Sequence, residues 1–202
     1  MNIKYFLFAG SIFISCSTSI IAQDTNIINK KFIEIYGAYS PNSVILLGKT
    51  PDTKTFSSYI GFGKQIHRFD NDFEVFVTRG IYPFSEYVYP KRDKGNEKDI
   101  VTGYGVSPLG YLFLLPRGQL NFYTGIKSGI MLMNKTFPTN KGRRINYSFD
   151  ISFGVNRAIQ KNTFLSFGYR FHHISNAQTG TQNPGIDSNF LFLSIKHFTN
   201  VD

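Results

Sequence analysis

Residues 145–157, INYSFDISFGVNR, alternate with a period of two along their whole length. Ile145, Tyr147, Phe149, Ile151, Phe153 and Val155 fall on one side; Asn146, Ser148, Asp150, Ser152, Gly154 and Asn156 fall on the other. Successive side chains of a strand point to opposite faces, so the run reads as a β-strand with an apolar, aromatic face and a polar face. Residues 119–132 repeat the pattern, with Leu120, Phe122, Ile126, Ile130 and Leu132 against Gln119, Asn121, Gly125, Lys127 and Gly129. Residues 163–175 repeat it again, with Leu165, Phe167, Tyr169 and Phe171 against Ser166, Gly168, Arg170 and His172. Strands of a soluble sandwich average about five or six residues, and these are about twice that. Strands of about ten residues, apolar on one face and polar and glycine-rich on the other, match a transmembrane barrel.

In that barrel the apolar face meets lipid and the polar face lines the lumen. A water-soluble lipocalin-type barrel would turn the same alternation inside out. The aromatic content, 21 Phe and 12 Tyr with no Trp, exceeds what a buried core needs and suits the aromatic girdles of a membrane barrel. Lys127, Asp150 and Arg170 then fall on lumen faces, where buried charges have to pair.

Turn signals divide the chain into eight strands, near 31–39, 56–66, 73–82, 100–113, 119–132, 145–157, 163–175 and 188–198. The connections alternate in length. Those after strands one, three, five and seven are long, and HRFDND, LPRG and AIQKN are short. Outer-membrane barrels have long external loops and short periplasmic turns. The predicted fold is therefore all-β: an eight-stranded antiparallel transmembrane barrel of the bacterial outer membrane, with both termini periplasmic.

The first 23 residues, MNIKYFLFAGSIFISCSTSIIAQ, have an early Lys4, an apolar run from Tyr5 to Ile14 and small residues leading to Ala22. That is the layout of a cleaved secretory signal peptide, leaving residues 24–202 as the barrel domain. The serines and threonine within the run argue against a spanning helix. Cys16, the single cysteine, lies inside this leader; FISC is an alternative lipoprotein site to which Phe13 fits poorly. The mature chain thus has no cysteine and does not rely on disulfides.

A formal charge of +9 suits phosphate-bearing partners. Nucleic acid is disfavoured, because no basic stripe is interleaved with stacking aromatics. Outer-membrane lipid remains. No Cys/His metal spacing and no glycine-rich phosphate loop occurs, so no cofactor and no metal is expected. The pattern is compatible with a monomer or a homodimer.

The seventh strand ends in FHHISNAQTGTQNPGID, residues 171–187. His173 and Ser175 share a face with Phe171, Tyr169 and Phe167, the lipid-facing one. Counting back from Leu191, Leu193 and Ile195, Asp187 projects from the same side of strand eight. A serine hydroxyl becomes a useful nucleophile when a base takes its proton and a carboxylate holds that base. Asn176, Asn183 and backbone N–H groups of the connection are candidate donors to an oxyanion. The alternative is an interfacial histidine beside a hydroxyl, in a barrel without catalytic function. His172 falls on the lumen side with Arg170 and reads as a packing or hydrogen-bonding group; His67 and His197 read as structural. Basic clusters in the external connections, Lys91, Arg92, Lys94 and Lys98, and Lys135, Lys141, Arg143 and Arg144, are candidate phosphate contacts or solvated loop charges.

The stretch HHISNAQTGTQNPGID resembles the signature of the outer-membrane lipid A 3-O-deacylases (PagL-type), and GVSPLG at 105–110 resembles a stretch found in distant members. The resemblance implies Ser175 as nucleophile, His173 as general base and acid, and Asp187 as the residue orienting His173. It implies an oxyanion hole from Asn183 and the backbone N–H near Gln178. The best-known members of that family have glutamate in place of Asp187 and glycine in place of Gln178. Candidate substrate contacts are Asn176, Phe171, Tyr169, Arg143 and Arg144. The expected activity is removal of the 3-O-linked hydroxyacyl chain from the lipid A of lipopolysaccharide. A phospholipase or acyltransferase acting on another acyl ester is the further alternative.

Overall fold

A computed structural model describes residues 30–91 and 97–199. The leader assigned to residues 1–23, with Cys16, lies outside the described residues, as do Arg92 and Lys94. Eight long strands close into an antiparallel barrel: β1 (Lys31–Ser40), β3 (Lys54–Arg68), β4 (Glu74–Pro90), β5 (Lys98–Arg117), β6 (Leu120–Phe137), β7 (Arg143–Gln160), β8 (Thr163–Ser175) and β9 (Ile186–Thr199). Neighbours in sequence pair throughout, and β1 closes the barrel against β9, with Ile35 opposite Ile195. A two-residue strand, β2 (Ser43–Val44), adds to the N-terminal end of β9.

The faces follow the alternation. On β7, Ile145, Tyr147, Phe149, Ile151 and Phe153 are exposed, while Asn146, Ser148, Asp150 and Ser152 are buried. The tight turns sit at one end. Gly118 and Asn162 adopt positive φ in the β5–β6 and β7–β8 turns, where the chain reverses in two residues.

Two expectations need correction. Much of what was assigned to external loops is strand: Glu86, Val88 and Pro90 stay in the ladder opposite Thr102, Ile100 and Lys98. A tilted membrane span needs about ten residues, whereas β4 has 17 and β5 has 20, so these strands project beyond the bilayer. Backbone pairing does not stop at the lipid boundary when both partners still alternate, and Tyr87 and Tyr89 remain turned inward and buried.

The second correction concerns the aromatics. Many line the lumen rather than the girdles, among them Tyr36, Tyr59, Tyr82, Tyr87, Tyr123 and Phe190. An eight-stranded barrel is only wide enough for side chains to fill, and rings do that. The Tyr36 and Tyr59 rings stack with centroids 4.8 Å apart. Tyr59 takes the room left by Gly61 and Gly80, where a Cβ would come within 2.3 and 2.4 Å of its ring.

The lumen charges pair as required. Asp150 Oδ1 lies 2.6 Å from His172 Nδ1 and 3.7 Å from Arg170 Nε, and Tyr82 donates to Asp150 Oδ2 at 2.7 Å. Tyr87 O–H meets His172 Nε2 at 2.9 Å. Farther along, Glu34 faces Lys196 at 3.4 Å and Lys127 at 3.9 Å. A void beside Glu34, Lys127 and Arg170 is about 20 Å³, roughly the room of one water. This is a plugged core and not a pore.

Candidate active site

β8 and β9 are antiparallel neighbours, and their register sets His173 opposite Asp187. Both side chains leave the barrel on its outer face. His173 Nδ1 lies 2.6 Å from Asp187 Oδ1. A carboxylate oxygen accepts, so Nδ1 carries the hydrogen and Nε2 is left with its lone pair. Ser175 follows two residues along the same face, opposite Tyr147 of β7. Among the described residues its hydroxyl makes no hydrogen bond, so the serine is beside the imidazole without being joined to it. The His173 ring keeps some exposure, at 19 %, while Asp187 is fully covered.

What covers Asp187 comes from the other end of the chain. The segment after β2 crosses over it, and the N–H groups of Leu46, Leu47 and Gly48 all donate to Asp187 Oδ2, at 2.9, 2.6 and 2.7 Å. Three successive N–H groups converging on one oxygen form an anion-binding nest. The approach depends on Gly48, because a Cβ there would lie 2.9 Å from the Gly185 carbonyl carbon. Lys49 N–H donates to Pro184 O at 2.5 Å and ties the two segments together. Gly185, at φ +61°, lies against the ring; a Cβ there would meet His173 Cε1 at 2.9 Å. Sequence reasoning missed Leu46–Gly48. The signal was present: VILLG is an apolar run inside an otherwise polar connection.

The β8–β9 connection, residues 176–185, folds on its own polar groups. Asn176 is fully buried; its N–H donates to Asn183 Oδ1 at 2.9 Å and its Nδ2 to Gln182 O at 2.7 Å. Its carbonyl accepts from Thr179 N–H and Oγ1. Asn176 therefore staples the loop, a different position from the substrate contact expected of it. Asn183 has its oxygen engaged by that bond, so its Nδ2 is the group that remains to donate. Ala177 and Gln178 both take positive φ, +50° and +65°. The left-handed region at 178 is the conformation that a glycine accepts without strain.

The β6–β7 connection braces this loop. Lys141 O accepts from Gln182 N–H and Thr181 Oγ1, and Arg143 Nε donates to Thr179 O at 2.9 Å. Arg144 turns elsewhere, donating from Nε to Met133 O at 3.0 Å. Lys135 of β6 pairs with Asp99 of β5, and Lys91 with Glu97 in the β4–β5 connection, so both cations already have carboxylate partners. Tyr169 donates to Asn189 Oδ1 and packs on Phe153 with ring centroids 5.1 Å apart; Phe171 follows it toward His173 on the same face.

Apolar surface surrounds the constellation. Tyr147 and Ile145 continue the exposed apolar face of β7 outward past the level of Ser175. On the same strand, Phe149 is the cross-strand neighbour of His173. It borders a groove of about 270 Å³ lined also by Leu109, Tyr111, Ile126 and Ser128. The groove opens where β5 bulges between Val106 and Leu109, inside the GVSPLG stretch.

A closed barrel with a lipid-facing apolar band and a filled lumen defines an outer-membrane β-barrel, here with a histidine–carboxylate pair on its outer wall. Solved structures agree on the fold. The outer-membrane enzyme PagL matches with a TM-score of 0.59 at 17 % identity, over 80 % of this chain and 97 % of that one. Neisserial surface protein A (NspA) matches with a TM-score of 0.54 at 17 % identity, over 83 % of this chain and 96 % of that one. No curated protein sequence matches the chain. The family model of lipid A 3-O-deacylase (PagL) matches residues 82–196, more than half of the chain, and the protein belongs to that family.

Proposed function

We propose that this protein is an outer-membrane esterase that removes the 3-O-linked hydroxyacyl chain of lipid A. Ser175 is the nucleophile, His173 the general base and acid, and Asp187 the residue that orients His173. The observation that carries the reading is the 2.6 Å contact between His173 Nδ1 and Asp187 Oδ1 on the lipid-facing wall, with Ser175 on the same strand face. A hydrolytic site for a soluble substrate has no reason to open sideways into lipid. One for a membrane lipid does, because its substrate arrives laterally.

In the reaction, the Ser175 hydroxyl turns to His173 Nε2, which takes its proton as Oγ attacks the ester carbonyl. The oxyanion is met by Asn183 Nδ2 and the Gln178 N–H, and donors of this kind contribute about 3–4 kcal/mol each. Collapse breaks the bond to the sugar oxygen, which leaves with the proton now on His173. Water, deprotonated by the same nitrogen, then releases the hydroxy fatty acid and restores Ser175. The groove bordered by Phe149 offers a dry surface for an acyl chain, and Arg143 stands at loop height for a phosphate. Residues 1–23 serve export, and the site faces the outer leaflet.

The test is mass spectrometry of lipid A from cells expressing the wild type or Ser175→Ala at equal outer-membrane levels. Loss of one hydroxyacyl mass with the wild type alone is the expected result. Unchanged lipid A with an inserted wild-type barrel would overturn the assignment.

A further inference from the structure

Ile45, Leu46 and Leu47 are among the most exposed apolar residues described, at 66, 72 and 59 %. They are consecutive, and they sit in the external connection after β2, where side chains are otherwise polar. Their backbone does the opposite of their side chains. It faces inward, and the N–H groups of Leu46, Leu47 and Gly48 converge on Asp187. One short segment therefore presents grease outward and three hydrogen-bond donors to the carboxylate that holds His173.

The base of the segment is anchored. Ser43 Oγ donates to Thr50 O at 2.8 Å and accepts from Thr53 N–H at 3.1 Å, so the chain leaves and returns at one point. Ser43 and Val44 pair with Ser188 and Asp187. The surroundings identify what the apolar tip meets. It projects from the wall that carries exposed Tyr39 and Leu191 on β1 and β9, and exposed Phe149 and Tyr147 on β7, which is the lipid-facing surface. Three large apolar side chains on the outer wall of a membrane barrel are compatible with acyl chains and not with water.

We propose that residues 45–48 are a lipid-inserted clamp: immersion of Ile45, Leu46 and Leu47 in the leaflet seats their backbone on Asp187 and so holds His173 in register with Ser175. This rests on the esterase reading above and adds a condition to it, since Asp187 is oriented fully only when the barrel is in a bilayer. The residues are positioning residues; they touch the orienting carboxylate and not the reacting atoms. The clamp also suits the shorter acid of this chain. Asp187 Oδ2 is met by backbone that comes to it across the sheet edge, 139–141 positions away in sequence.

Two measurements on the intact protein test this. The chain has no tryptophan, so Leu46→Trp places a single reporter in the segment. In phosphatidylcholine vesicles, blue-shifted emission quenched by brominated acyl chains is expected. Water-like emission without quenching would overturn the clamp. The second is kinetic, using lipid A in the same vesicles, with folding verified by the gel shift of the unheated barrel. Ile45→Asn, Leu46→Asn and Leu47→Asn together keep every N–H donor and remove the apolar tip. The expected result is a fall in kcat of tenfold or more with little change in KM. A KM rise at unchanged kcat would make the segment a substrate-binding surface and sink the positioning role, as would wild-type kinetics. Wild type lacking activity in vesicles and in detergent would instead refute the esterase reading, so the two failures are distinguishable.

Discussion

Asp187→Asn is the sharpest perturbation of the proposed triad, because the structure dictates which way the new amide must turn. In the native chain Oδ1 receives His173 Nδ1–H and Oδ2 receives three backbone N–H groups. Asparagine has one oxygen and one NH₂. Three backbone donors cannot face an NH₂, so the oxygen stays with Leu46, Leu47 and Gly48, and the NH₂ turns to His173. A ring nitrogen opposite an NH₂ has to be unprotonated, so the imidazole hydrogen moves to Nε2, the atom that must accept the Ser175 proton. In a serine triad the same exchange lowers kcat about 10⁴-fold through the wrong tautomer, equivalent to about 5 kcal/mol of barrier. Stability falls as well. Each of the three loop bonds changes from charge-assisted to neutral, a loss of about 1 kcal/mol apiece, so about 3 kcal/mol altogether. The assay is the rate of hydroxy fatty acid release from lipid A in phosphatidylcholine vesicles, with folded barrel quantified by gel shift. A rate within tenfold of wild type in folded protein would refute the tautomer argument.

The two adjacent histidines separate function from scaffold. His173→Ala is expected to abolish acyl release and leave the gel-shift temperature nearly unchanged, while His172→Ala lowers that temperature, since it leaves the buried Tyr87 hydroxyl without its partner and removes one of the three partners of Asp150. Asp150→Ala leaves Arg170 buried without its carboxylate and should destabilise the barrel by about 3–5 kcal/mol, read as a lower unfolding midpoint in urea. Gln178→Gly relieves a left-handed residue and should stabilise the barrel by about 1 kcal/mol with the backbone N–H of residue 178 retained. A midpoint that falls instead would mean that the Gln178 side chain holds the turn.

The alternation of residues 145–157 and 163–175 was enough to assign those strands and their faces, because side-chain direction in a strand is a local property of the backbone, and the turn signals along the chain supplied the number of strands. The same parity put His173, Ser175 and Asp187 on one outer face and His172 on the other. Strand ends were less legible. Tyr87 and Tyr89 belong to the ladder because Lys98–Val101 pair with them, and a pairing partner is not visible from one segment. The sequence also could not say that Tyr36, Tyr59 and Tyr123 fill the lumen, since an aromatic on a polar face is ambiguous until the barrel radius is known. The register that sets His173 opposite Asp187, and the crossing of Leu46–Gly48 over that carboxylate, were decided by tertiary structure alone. Both depend on contacts between residues distant along the chain, where alternation carries no information about distance.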